Sequence, residues 1–186
     1  PILVQVLSAL DAAHGRGFLH RDMKPENIFV TTENAGGGKL VKLLDFGVSK
    51  SMNSEDYEQR RLTHTGMVMG TPYYMAPEQA RGDSRLDQRV DLWAVGVIMY
   101  EMLTGKRPFV ANNYNALLVK ILTVSPTRLR HVSSTISLGV ESIVGKSMDK
   151  IRDNRFQHAS EMAHSIMEML KSEKGRSRMA VSYQSY

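Results

Sequence analysis

His20-Arg21-Asp22-Met23-Lys24-Pro25-Glu26-Asn27 sets a carboxylate, an ammonium and a carboxamide in one short loop. Taken singly, each has a bland explanation. An aspartate in a loop commonly makes an Asx-type turn, and a loop lysine is commonly just solvated. With Lys24 two residues after Asp22 and Asn27 five after it, the set reads as a reactive constellation instead. Pro25 fixes φ and stiffens the loop. Two further motifs follow in order, Asp45-Phe46-Gly47 and Ala76-Pro77-Glu78. Three ordered motifs of this length do not arise from composition.

Upstream of the loop, Ile2 to Ala13 reads as a helix. Leu3, Leu7 and Leu10 recur on one face, Ile2, Val6 and Ala13 widen it, and Gly15 and Gly17 stop it. Downstream, Ile28-Phe29-Val30 and Leu40 to Leu44 are short apolar runs separated by Asn34-Ala35-Gly36-Gly37-Gly38. That pattern predicts a two-stranded antiparallel hairpin. The glycine run lacks a Gly-Lys-Ser/Thr ending and opens no helix, so it reads as a turn and not as a phosphate cradle. Residues 48–75 are polar and aperiodic, a length that argues for function or disorder. Asp91 to Leu103 is apolar nearly all round, as a helix buried in a core would be. Asp91 at its start is placed to cap free backbone N–H groups, and Gly105 lies just beyond its end. Asn115–Leu122 and Ser137–Met148 read as amphipathic helices. His158–Leu170 reads as the last helix, with Met162, Ile166, Met169 and Leu170 on one side as packing groups.

The three motifs resemble the catalytic loop, the magnesium loop and the activation-segment end of the eukaryotic-type serine/threonine protein kinases. The phrase from Gly70 to Gly82, with Tyr100-Glu101-Met102-Leu103-Thr104-Gly105, is similar to the bacterial branch. The resemblance spans roughly residues 1–171. It implies a mainly α fold, a kinase-like helical C-terminal lobe with a small β-hairpin and a long activation segment. Residues 172–186 would be a polar basic linker or a disordered tail.

By this resemblance the cofactors are ATP and Mg2+, and the substrates are proteins carrying Ser or Thr. Asp22 is the base that accepts or orients the substrate hydroxyl proton, and Lys24 offers its ammonium to the transferring phosphate. Asn27 and Asp45 supply hard oxygens for magnesium. The nucleotide-facing set is Lys24, Glu26, Asn27, Phe29 and Asp45, with Phe29 under the adenine ring. His20 and Phe46 match residues of the internal hydrophobic column. Arg21 would pair with a phosphate on the activation loop and order it. Thr63 and Thr65 lead the candidate acceptors because they lie shortly before Gly70-Thr71-Pro72, ahead of Ser49, Ser51, Ser54 and Tyr57. Thr71 positions substrate by bonding the catalytic aspartate and lysine. Glu78 and Arg155 form a buried ion pair between activation segment and helical lobe.

No Gly-x-Gly-x-x-Gly loop precedes His20, and no strand lysine with a helix glutamate is present. These belong to the small lobe that covers ATP. The chain also begins at Pro1 with no start methionine. The expectation is therefore a fragment, inert by itself, with apolar surface exposed around Phe29 and Phe46. The competing reading is a non-catalytic, pseudokinase-like module that binds a partner. Against it stands the intact set Asp22, Lys24, Asn27 and Asp45.

Length and composition fit one domain: 186 residues, 42% hydrophobic and without cysteine. No disulfide framework or thiolate metal site is available, and a cytoplasmic setting is expected. The net charge of +5 is not a nucleic-acid signal. Four cations against Glu173 place +3 of it in the last sixteen residues, without interleaved aromatics. The apolar run from Leu92 to Met99 is too short to span a bilayer, so membrane contact is expected only through a segment outside this chain.

Overall fold

A computed structural model describes residues 2–32, 38–45 and 72–183, with side chains through residue 173. Among the described residues the fold is mostly helical with one two-stranded sheet. Helix α1 (Ile2–His14) buries Val6, Leu7 and Leu10, the face that the leucine spacing marks. It ends where Gly17 takes φ 74°, and the N–H of Phe18 closes back onto the Ala13 carbonyl at 3.0 Å. Glycine reaches that left-handed backbone without a Cβ penalty.

Strands β1 (Ile28–Thr32) and β2 (Lys39–Leu43) pair antiparallel, with Ile28 opposite Leu43 and Val30 opposite Val41. Paired residues share a face. Val41 is buried, and Ile28 and Leu43 pack on the core. The other face carries Phe29 and Leu40, which are 53% and 39% exposed. Helix α1 also closes the free edge of β2. The Gln5 amide donates to the Lys39 carbonyl at 2.8 Å, and its oxygen accepts from the Val41 N–H at 3.0 Å. One side chain thus does for β2 what a third strand would do.

A short helix, α2 (Pro77–Ala80), leads to α3 (Arg89–Thr104), the central helix. Every residue of α3 from Val90 to Tyr100 is buried, as its unbroken apolar character requires. Gly105 at φ 67° terminates it, its N–H bonded to the Glu101 carbonyl. Around α3 stand α4 (Tyr114–Thr123), α5 (Leu129–Val132), α6 (Leu138–Ser147) and α7 (Ala159–Tyr183). Asn113 and Ser137 cap α4 and α6 through their side-chain oxygens. Helix α7 packs against α1 and α6.

Two expectations are corrected. The chain does not leave helical structure at residue 172, because α7 continues to Tyr183. The segment beyond Lys171 is polar, but Glu173, Lys174, Arg176, Arg178, Met179 and Ala180 are good helix formers that can carry the backbone on. Asp91 does not cap α3 either. It is the helix's third residue, and its carboxylate is spent on distant loop groups.

Candidate active site

The loop from His20 to Asn27 is held from below by α3. The buried Asp91 carboxylate accepts from three donors: the His20 N–H at 2.9 Å, the Arg21 N–H at 2.8 Å and His14 Nε2 at 2.8 Å. Both carboxylate oxygens are engaged, and an ionised acceptor makes the stronger class of hydrogen bond. The anchorage fixes an unfavourable backbone. Arg21 has φ 65°, a left-handed conformation that costs a side-chain-bearing residue of order 1–3 kcal/mol.

Asp22 follows immediately and is exposed. Lys24 Nζ lies 2.6 Å from Asp22 Oδ2. Asn27 is buried, and its Nδ2 donates to the Asp22 carbonyl at 2.7 Å, with a longer contact of 3.4 Å to Oδ2. The resulting loop is compact, with carboxylate, ammonium and amide in mutual contact. As a surface pair, Asp22 with Lys24 contributes little stability, about 0–1 kcal/mol.

Leu44 joins this loop to Asp45. Its N–H donates to the Asn27 carbonyl at 2.9 Å. Its own carbonyl accepts from His20 Nε2 at 2.9 Å. A carbonyl oxygen only accepts, so Nε2 is the protonated ring nitrogen. Asp45 is therefore one residue beyond a backbone gripped from both ends of the catalytic loop. It too has a positive φ, 56°. Strained non-glycine backbone at two positions beside the same loop is the pattern found at functional sites.

The donor chemistry suits magnesium. With the Asn27 amide nitrogen committed to Asp22, its oxygen is the atom left for a cation. Among the described residues no group of three or more His, Asp or Glu side chains gathers as a metal site. Magnesium takes one or two carboxylates and keeps waters and phosphate oxygens for the rest, so Asn27 with Asp45 is a sufficient protein share.

The other expected positions divide clearly. Glu26 is exposed at the loop, and Phe29 stands on the open face of β1. Glu78 and Arg155 meet as a bidentate buried pair at 2.7 and 2.8 Å. Phe46, Thr63, Thr65 and Thr71 lie outside the described residues, as do Ser49, Ser51, Ser54 and Tyr57. A cavity of about 410 Å3 lies between Ser125–Leu129 and Met148–Ile151, and no residue of the catalytic loop lines it.

Two residues escape sequence reading. His14 closes the Asp91 cluster. Gln79 donates its amide to the Arg21 carbonyl at 2.9 Å, while its oxygen accepts from the Ala76 N–H at 3.0 Å. Its one sequence signal is a glutamine at the third position of a short helix, where it reaches back to the helix start. No sequence signal marks its second bond.

The loop thus carries a carboxylate, an ammonium and an amide, is tied to a strand-end aspartate, and is seated on a buried central helix. The chain belongs to the protein kinase domain family, which matches residues 1–181. It is 47% identical to the serine/threonine-protein kinase pkn3 of Myxococcus xanthus over 80% of its own length and 27% of that protein. To Pkn1 of the same organism it is 41% identical over 83% of the chain and 22% of the relative. To the probable serine/threonine-protein kinase PknB of Corynebacterium glutamicum it is 39% identical over 87% and 24%. The chain thus spans about a quarter of the length of these bacterial relatives.

Proposed function

We propose that this chain is the helical-lobe portion of a serine/threonine protein kinase that moves the γ-phosphoryl group of ATP to protein hydroxyls. The single supporting observation is the clamped geometry of Leu44, which joins Asn27 and His20 to the residue before Asp45. Asn27 and Asp45 would hold magnesium, which when bound neutralises phosphate charge and orients the reacting group. Asp22 accepts or orients the proton of the incoming hydroxyl. Lys24, already against Asp22, moves its charge toward the transferring phosphate. Phe29 and Leu40 offer an apolar face to the adenine side and to a small lobe. Without that lobe the segment would be inert, and the exposed apolar face would favour association. Phosphorylation at Thr63 or Thr65, substrate positioning by Thr71 and cytoplasmic placement belong to the same reading. Among the described residues no helix is long and apolar enough to cross a membrane.

The test is phosphoryl transfer from ATP to Ser/Thr peptides by the protein carrying both lobes. Asp22→Ala should lower kcat by about 10²–10⁴, the usual worth of a positioned base. Asp22 is exposed, so the unfolding midpoint should stay within the range of ordinary surface changes. An unchanged rate removes Asp22 from the mechanism. Tight ATP-magnesium binding by this 186-residue segment alone would overturn its inertness.

A further inference from the structure

We infer that Gln79 is a positioning residue, which couples the anchored helix α2 to the catalytic loop through the Arg21 carbonyl. This deepens the phosphotransferase reading and rests on it. The Arg21 residue is held at both polar backbone atoms by different elements. Its N–H goes to Asp91 of α3, at 2.8 Å. Its carbonyl accepts from Gln79 Nε2 of α2, at 2.9 Å. Between those two bonds lies the left-handed φ of 65°, and the next residue is Asp22. A backbone carrying strain keeps its conformation only while its surroundings over-determine it. The Asp91 bonds fix where the peptide begins. The Gln79 bond fixes which way its carbonyl points, and with it the start of Asp22.

Helix α2 is itself immobilised. Glu78, the preceding residue, forms the buried bidentate pair with Arg155. The N–H of Asp83 returns to the Glu78 carbonyl at 2.9 Å. The two ends of the Gln79 amide have separable tasks. Its oxygen accepts from the Ala76 N–H, the backbone half of a capping box. Ala76 has no side-chain acceptor, so Gln79 alone makes this contact. Its nitrogen serves Arg21. Gln79→Glu keeps the first and abolishes the second, because a carboxylate accepts but does not donate.

Two measurements test the coupling on Gln79→Glu, with Gln79→Ala as the variant that loses both contacts. Amide hydrogen exchange on the 186-residue chain should be faster by about tenfold or more at residues 20–24 in Gln79→Glu, with α2 still protected. In the protein carrying both lobes, kcat should fall by about ten- to hundredfold, the scale of a misplacement near 1 Å, while KM for ATP stays within about twofold. Gln79→Ala should show the same loss in kcat and, in addition, faster exchange in α2. Unchanged exchange at residues 20–24 in Gln79→Glu overturns the coupling. So does a normal kcat, or a loss expressed in KM alone. An inactive parent enzyme would count against the kinase reading only, and the exchange result would still decide whether Gln79 holds the loop.

Discussion

Arg155 and Glu78, 77 residues apart, meet in a bidentate pair with N–O distances of 2.7 and 2.8 Å, both side chains about 1% exposed. The guanidinium is satisfied elsewhere as well. Nε donates to the Asp149 carbonyl at 2.7 Å, and the group lies 4.9 Å from the Trp93 ring centroid. Taking two charges out of water is costly, and the pair endures because every partner is in place. Removing one member strands the other. Arg155→Ala and Glu78→Ala are each expected to destabilise by about 3–5 kcal/mol in urea unfolding. The double variant should cost clearly less than the two single costs added, since it leaves no lone charge. Additive costs would show that the two groups are not coupled.

Asp91 links the buried centre to the reactive loop. It accepts from His14, His20 and Arg21, and replacing its carboxylate leaves buried donors without an acceptor. Asp91→Asn presents one oxygen and an amide that faces N–H groups. The expected loss is at least about 1.5–3 kcal/mol, the range for hydrogen bonds to a charged group. The same variant should accelerate amide exchange at residues 20 and 21. Exchange that stays slow there would mean that the loop keeps its shape without α3.

The parts of this architecture legible from sequence were those with local causes. Helices α1 and α3 announce themselves through apolar spacing and through Gly17 and Gly105 at their ends. The hairpin follows from two apolar runs about a glycine turn. The candidate site residues stand out because three motifs fall in order. What escaped is non-local. The true partners of Asp91 are about 70 residues away, so its position near a helix start suggested capping, a cause acting over one turn. His14 and Gln79 were missed for the same reason. Helices α2 and α5, four residues each, are too short to show a period. The stretch after Lys171 reads as a linker or disordered tail because its polar composition, with Gly175 and four serines, gives no helical period, and the helix nevertheless runs to Tyr183.

Gly96 of α3 faces Ser147 of α6 at close range. A Cβ there would lie 2.7 Å from Ser147 Oγ, 2.9 Å from Ser147 Cβ and 3.0 Å from Met148 Cγ. Ser147 cannot easily yield. It is fully buried, and its hydroxyl donates to the Ile143 carbonyl at 2.8 Å. Alanine in a helix interior gains about 1 kcal/mol over glycine. Overpacking a core costs about 1–3 kcal/mol. The clash should therefore offset or exceed the propensity gain, so Gly96→Ala is expected to be destabilising. Gly96→Ala combined with Ser147→Gly removes both close atoms and should recover part of the loss. Thermal unfolding of the four proteins in that cycle measures the coupling, and a stabilising Gly96→Ala would show that the two helices separate freely.

Lys150 gives the molecule an alkaline signature. Its ammonium lies 4.2 Å from the Phe109 ring centroid and 5.0 Å from that of Trp93, and it donates to the Ile121 carbonyl. The rings favour the charged form, but burial opposes it more strongly and the Arg155 charge adds to burial. Together they pull the amine down to about 8. The unfolded chain keeps its proton up to the ordinary lysine range, so between about pH 8 and about pH 10 it binds more protons than the folded chain. Stability should then rise with pH across that window, and this contribution is lost as pH falls through about 8. Above the window Tyr74 acts in the opposite sense. Burial, and then its hydrogen bond to Glu101, push its phenol up to about 12. Its contribution is complete below the ordinary tyrosine range and disappears as pH climbs through about 12. Lys150→Met keeps a long unbranched chain against Phe109 and removes the titrating group. Urea midpoints between about pH 8 and about pH 10 should climb for the parent and lie closer to flat for Lys150→Met. Equal slopes in the two proteins would show that Lys150 keeps its proton throughout.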